Sequence, residues 1–377
     1  MTIAVFVLYV PAGVNFFKWF GDQVAEFLEY SEHGARFIFS NLANDSEKHI
    51  TVFGYQFGIL VTSVIIFFSA IVAVLYHFGI IQKAVYAMAW VMQKTLKTSG
   101  VESLTAAANI FIGQTEAPLM IRHYLKNASR SEIHSIMVCG YATIAGSVMA
   151  VYIAMGIEPS VLITASLISA PGALMLSKIV IPPDAEVIKL NDLSKINIPR
   201  SKNALMALTE GATDGLKLAL NVIAMLIAVI SIIALLDAGL EFSSHHLASI
   251  GVDFFPTSIK ELLGYAFYPF AYLTSIPPEE AKLFSELVGT KIGINEFVAY
   301  KDLSIMIKEG AISERTASLS AFALCGFANF SSIAIQLGGL GALVPEKRAV
   351  IAELGLKAMI VGALTNLVTA MIAAILI

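Results

Sequence analysis

The sequence predicts an all-α polytopic membrane protein built from inverted structural repeats, with two re-entrant hairpins and broken transmembrane helices in a scaffold plus transport arrangement. Three observations lead there. Hydrophobic residues make up 57% of the 377 and charged residues only 14%, against about 25% charged in soluble domains, and the mean hydropathy is +0.77. Polar groups interrupt apolar runs at Gln114-Thr115-Glu116 and again at Asn295-Glu296. The surroundings of these two interruptions repeat one another in the same order.

Composition also excludes several classes. The 24 basic and 28 acidic residues give a net charge of −4 without a basic tract, so no nucleic acid is expected as a partner. Two cysteines in apolar surroundings exclude a disulfide framework and a Cys-rich zinc site. The seven histidines lie mostly in loops or at segment ends, and His245-His246 reads as a solvated loop. No HExxH, Walker or nucleophile-elbow pattern is present.

In chain order, Ile3–Val10 begins inside an apolar run that Pro11 and Gly13 interrupt. It is too short to span, since about 20 residues are needed, and residues 1–78 are expected to supply N-terminal scaffold helices with a first helix missing. Residues 22–50 are amphipathic and charged, as at an interface or in a loop, and Gly58–Tyr76 is a clean span. Residues 79–93 carry lysine, tryptophan and tyrosine, the make-up of an interfacial helix. A hairpin over 101–121 follows, closed by Arg122, His123, Lys126 and Arg130. Spans over 133–155 and 159–177 complete a first repeat, 79–177. Residues 178–215 form a cytoplasmic loop, 216–240 hold a scaffold helix spanning over 216–236, and 237–260 a second loop. The second repeat, 261–377, has an aromatic interfacial segment (261–276), a polar-interrupted segment (283–300) and spans over 317–338 and about 350–377.

The repeat is specific. Gln114-Thr115-Glu116, Ser131-Glu132 and Cys139-Gly140-Tyr141-Ala142-Thr143 have counterparts in Asn295-Glu296, Ser313-Glu314 and Cys325-Gly326-Phe327-Ala328-Asn329. Three spans lie between the copies, an odd number, so the second copy is expected upside down. The positive-inside rule agrees: 122–130, 178–202 and Lys347-Arg348 fall inside, 156–160, 237–260 and 301–315 outside. Inverted repeats whose broken segments meet at the midplane mark a secondary transporter.

A carboxylate at bilayer depth costs roughly 2.5–3.5 kcal/mol, so Glu116 and Glu296 are read as functional. Gly113 and Pro118 weaken helix on either side of Glu116, and broken backbone at that depth must be buried in protein or line a cavity. The structural alternative pairs each carboxylate with a base, Lys291 for Glu296 and Arg122 for Glu116. Asn329 and Ser332, three apart, share a helix face. Ser331 fits a bond back to its own helix, Phe327 serves packing or recognition, and Cys139 and Cys325 read as small packing residues. Gln, Thr, Glu, Asn and Ser together offer donors and acceptors without a fixed cation, which fits a neutral polyhydroxylated solute with an aromatic face and points to a ribose. A rival reading makes Glu116 and Glu296 the acid/base pair of an intramembrane enzyme; the missing metal ligands and nucleophile–base pair oppose it.

GQTEAP (113–118), NEFVAY (295–300) and CGFANFSSIAI (325–335) together resemble the concentrative nucleoside transporter family, from about residue 5 to the end of the chain. The resemblance implies a multi-pass protein of the bacterial inner (plasma) membrane, embedded in lipid as a homotrimer, that imports uridine-like nucleosides with a cation by elevator-type alternating access. It implies that Gln114, Thr115 and Glu116 address the base, that Val148 and Phe327 pack on it, and that Glu296, Asn329 and Ser332 hold the ribose hydroxyls. It further implies a sodium site made by the side chains of Asn109 and Thr143 and the carbonyls of Ile112 and Ile144. Some relatives use protons instead; the Thr143 hydroxyl favours sodium.

Overall fold

A computed structural model describes residues 2–43, 56–183, 201–249 and 255–377, with no strand among them. Five stretches among the described residues are long and apolar enough to cross a membrane: Phe57–His77, Arg130–Ala154, Pro159–Val180, Ala204–Ala248 and Pro345–Leu376. The chain opens with α1 (Thr2–Leu8) and α2 (Pro11–Phe39). The region 22–50, read as interfacial or loop, is therefore helix as far as Phe39. Pro11 starts this helix rather than ending one, because a first-turn residue needs no N–H partner. Residues 44–50 lie outside the described residues.

Helix α3 (Phe57–His77) packs against α10 (Ala204–Ala248). A Cβ on Gly211 or Gly215 would meet the α3 backbone at Ala70 Cα or Ile66 Cα, each at 2.9 Å. This small-xxx-small stripe lets the two backbones approach, as suits helices that share a membrane. The expected loop over 178–215 and loop over 237–260 are both cut into by helix: α9 (Pro159–Val180) runs past residue 178, and α10 covers 204–248, well beyond 216–240. The physical reason is length. At 1.5 Å per residue, 45 residues extend roughly 67 Å, more than twice a 30 Å hydrocarbon core. Its polar ends, including His245 and His246, are thus solvated helix and not loop, and polarity alone does not break a helix. Asn203 caps the start, accepting from Met206 N at 2.8 Å. Residues 184–200 lie outside the described residues.

Repeat 1 comprises α4 (Ile80–Leu96), hairpin 1 with arms α5 (Gly100–Ala108) and α6 (Arg122–Leu125), then α7 (Arg130–Ala142), α8 (Gly146–Ala154) and α9. Repeat 2 comprises α11 (Ile259–Leu273), hairpin 2 with arms α12 (Pro278–Gly293) and α13 (Glu296–Lys308), then α14 (Glu314–Leu324), α15 (Phe330–Leu343) and α16 (Arg348–Leu376). The order of elements is the same in both. Two expected spans, 133–155 and 317–338, are each two helices with an unwound joint, at 143–145 and 325–329. In the first, Thr143 is extended and Gly146 N donates to Phe111 O of hairpin 1 at 3.1 Å, so a tertiary bond takes the donor that helix would have used. In the second, Gly326 has φ +153, and a Cβ there would meet Asn366 Oδ1 and Tyr141 O at 2.5 Å. Only glycine fits both the conformation and the space.

Capping boxes set the starts of α5 (Ser99 with Glu102) and α7 (Ser129 with Glu132), and Ser313 caps α14. Lys178 of α9 forms a close ion pair with buried Glu102 and donates to Ser131 Oγ at 2.8 Å, tying hairpin 1 to α7 and α9.

Candidate substrate and cation site

Hairpin 2 turns at Ile294-Asn295. Asn295 takes extended backbone and its Oδ1 accepts from Val298 N at 2.9 Å, an N-cap that restarts the helix with Glu296 in its first turn. Glu296 is buried, 4% exposed, and its Oε2 accepts from Asn329 Nδ2 at 2.7 Å. Asn329 caps α15 in turn, its Oδ1 accepting from Ser332 N at 2.9 Å and from Ser331 Oγ at 2.7 Å. Ser331 thus bonds to the side chain of the capping residue two positions before it instead of to a backbone carbonyl one turn back. The hairpin docks on α8 through a stacked Tyr152–Tyr300 pair, centroids 4.0 Å apart, and through Ser304 Oγ, which donates to Met155 O at 2.6 Å.

Lys291 does not neutralise Glu296 by a hydrogen bond. Its Nζ, 1% exposed as a residue, donates to Ala323 O at 2.9 Å and Asn366 Oδ1 at 2.6 Å. Asn366 Nδ2 donates to Ala142 O at 2.7 Å and to Cys325 O. One side chain of α16 therefore closes the C-terminal carbonyls at both helix breaks, and the buried ammonium is oriented by it. These are the orphan acceptors that a helix end must satisfy.

Hairpin 1 is looser. Between α5 and the 3₁₀ turn Ala117–Ile121, residues 109–116 form turns. Glu116 is exposed, with its carboxyl folded over Gly113, where a Cβ would meet its Oε2 and, at 3.2 Å, its Cδ. Gln114 is half-buried and its Oε1 accepts from Gln336 Nε2 at 2.9 Å. Thr115 lies against Gly339, whose added Cβ would stand 2.9 Å from Thr115 Cγ2.

Of the expected binding residues, Ser332 lies on α15 with Asn329 as its N-cap, and Glu296 and Gln114 hydrogen-bond to that helix from the two hairpins. On α15, Asn329, Ser332 and Gln336 fall at i, i+3 and i+7, a single face. Its start holds Glu296 of hairpin 2 and its second turn holds Gln114 of hairpin 1, separated by about 10 Å of helix. Val148, 5% exposed in the first turn of α8, and half-buried Phe327 belong to one apolar cluster. Sequence reasoning missed Gln336 and Asn366. The seven-residue spacing from Asn329 was the available signal for Gln336; Asn366, 37 positions beyond Asn329, had none.

The residues expected at the cation site share features that fit an oxygen-ligated monovalent ion. Asn109 is 1% exposed, and neither its Oδ1 nor its Nδ2 has a hydrogen-bond partner among the described residues. An orphaned buried amide is costly, and a cation would relieve its oxygen. Thr143, also 1% exposed, spends its proton on Cys139 O at 2.8 Å and keeps its lone pairs. Ile112 and Ile144 lie outside helix, and neither carbonyl accepts a backbone hydrogen bond among the described residues. The Gly146–Phe111 bond holds the two segments together.

Comparison with known proteins gives the same assignment as the motifs. The family model "Na+ dependent nucleoside transporter C-terminus" matches residues 161–374, "Nucleoside recognition" matches 59–158, and the N-terminal model of the same transporters matches 1–42. The chain belongs to the concentrative nucleoside transporter family. This transporter is 39% identical to nucleoside permease NupC of Helicobacter pylori, over 100% of the chain and 89% of that protein. It is 40% identical to an uncharacterized transporter of Haemophilus influenzae, over 99% of the chain and 88% of that protein. Against sodium/nucleoside cotransporter 1 of Mus musculus the identity is 39%, over 99% of the chain but only 58% of the mouse protein. Among solved structures, CNTnw in an inward-facing substrate-bound state superposes with a TM-score of 0.91 at 36% identity, covering 100% of this chain and 88% of that one. A CNTnw variant in an outward-facing state gives 0.92 at 36% identity, covering 100% and 89%. The transporter is a multi-pass protein of the plasma membrane, and its relatives move nucleosides rather than catalyse a reaction.

Proposed function

We propose that this transporter is a sodium-coupled symporter that imports uridine-like nucleosides across the bacterial inner membrane by elevator-type alternating access, as a homotrimer. One observation carries the reading: a single face of α15 presents Asn329, Ser332 and Gln336 and meets a tip residue of each hairpin. A ligand on that face has acidic and hydroxyl partners at one end, Glu296 and Ser332, suited to ribose hydroxyls. At the other end stand the amide and hydroxyl of Gln114 and Thr115 with Glu116, suited to a base edge, and Val148 and Phe327 line the apolar side. No basic side chain bonds to Glu296 among the described residues, which favours a neutral solute.

Asn109, Thr143 and the Ile112 and Ile144 carbonyls would hold sodium. The ion would supply the positive charge that the tip of hairpin 1 and the α7–α8 joint both need in order to close, so that cation and nucleoside tighten one another's binding. In this reading the two hairpins and two broken helices form the transport part and re-enter the membrane from opposite sides, while α3 and α10 belong to the scaffold. Protein reconstituted in liposomes should accumulate labelled uridine under an inward sodium gradient. Accumulation driven by a proton gradient alone would assign proton coupling, and none under either gradient would remove the proposal.

A further inference from the structure

We infer that Gln336 is a positioning residue that fixes which end of the Gln114 amide meets the base, and so sets the donor–acceptor preference of the site; this rests on the nucleoside reading above. Gln336 is 3% exposed. Its Nε2 donates to Met137 O at 3.0 Å and to Gln114 Oε1 at 2.9 Å. A backbone carbonyl only accepts, so the contact with Met137 identifies the NH₂ end of Gln336. A primary amide has two N–H donors, and both are then used. Gln114 must turn its oxygen to Gln336. That leaves the Gln114 NH₂, which has no partner among the described residues, as the end available to a ligand.

The packing makes this arrangement hard to escape. A Cβ on Gly140 of α7 would meet Gln336 Nε2 at 2.7 Å and Gln114 Cβ at 2.9 Å, so the glycine is what admits both glutamines. Gly339, three residues further along α15, seats Thr115 in the same way. Reversing the Gln114 amide would set N–H against N–H in a buried place, leaving donors unpaired at a cost of about 1–3 kcal/mol. The base edge that faces Gln114 is therefore selected for a keto oxygen, which only accepts, and against an amino group, which donates.

The test is competition uptake into liposomes, comparing uridine with cytidine and inosine with adenosine, pairs that exchange keto for amino at one ring carbon and N–H for a bare nitrogen beside it. In Gln336→Met, which keeps the volume and removes the constraint, the ratio of apparent affinities within each pair should shift by roughly three- to tenfold, the worth of one net hydrogen bond. Gln114→Glu keeps the bond from Gln336 but removes the free donor, and should shift the ratios in the same sense even if Gln336→Met fails to fold. Ratios unchanged within about twofold, with uptake lowered equally for every nucleoside, would make Gln336 a packing latch only and overturn the inference. Absence of nucleoside uptake by the unaltered protein would instead overturn the functional reading.

Discussion

At the tip of hairpin 2 the chain turns at Ile294-Asn295, and its charged groups are engaged, with Asn295 Nδ2 the tip atom left buried without a partner among the described residues. Asn295 Oδ1 caps α13, Glu296 accepts from Asn329, and Lys291 is spent on Ala323 O and Asn366. At the tip of hairpin 1 the chain takes residues 109–116 to turn, Glu116 is exposed, and both amide atoms of Asn109 are buried without a partner among the described residues. The helix breaks differ too. Helix α7 runs on to Ala142, past Cys139, whereas α14 stops at Leu324, before Cys325. The same topology therefore yields one tip whose charged groups are paired within the protein and one that leaves both ends of a buried amide unpaired among the described residues. Ligand-gated segments come from the low-stability end of a structure, and hairpin 1 fits that description.

Substitutions can break or sharpen this contrast. The largest effect belongs to Asn366→Ala, which strips donors from the Ala142 and Cys325 carbonyls and an acceptor from Lys291. With about 1–3 kcal/mol for each buried group left unpaired, most of the folded yield should be lost, and thermal unfolding in detergent would show it. A melting profile like that of the parent would mean that the two breaks are not held from α16.

Next comes Glu296→Gln, which removes a buried carboxyl proposed to hold the ribose. A hydrogen bond to a charged group is worth roughly 1.5–3 kcal/mol, so apparent nucleoside affinity should fall by about ten- to a hundredfold with the fold retained. Retained uptake would detach Glu296 from the ligand. Asn109→Ala is the sharper probe of hairpin 1. Since its amide has no hydrogen-bond partner among the described residues, thermal stability in sodium-free buffer should be unchanged or higher. The sodium concentration for half-maximal uptake should rise about tenfold, the loss of one charge–dipole contact. A destabilised variant with an unaltered sodium requirement would give Asn109 a structural role.

Glu116→Gln should do least, within a few-fold in uptake, because the Glu116 carboxyl lies over its own Gly113 and takes no hydrogen bond from another helix among the described residues, so neutralising it breaks no tertiary contact. An effect as large as that of Glu296→Gln would mean that the first tip closes over its ligand far more completely than it stands here.

Much of this was legible beforehand. Gly113, Pro118 and the embedded Glu116 marked the first tip and Asn295-Glu296 the second; of the paired Cys-Gly motifs, Cys325-Gly326 fell at a helix break, whereas Gly140 lies three residues before one. The linkage of Asn329 to Ser332 followed from three-residue spacing. The breaks themselves read as continuous spans at 133–155 and 317–338, because their unwinding is caused by bonds to distant segments: Phe111 O for the first, the crowding of Asn366 against Gly326 for the second.

The sequence by itself determined the membrane class, the helical repeat and the position of each embedded carboxylate, since apolar run length, charge placement and local capping are properties of neighbouring residues. Only the tertiary structure decided which polar groups are spent and which remain for a ligand. Lys291 and Asn366 are 75 positions apart, and Gln114 and Gln336 are 222 apart. A buried hydrogen bond depends on distance in space, and no local pattern carries that distance.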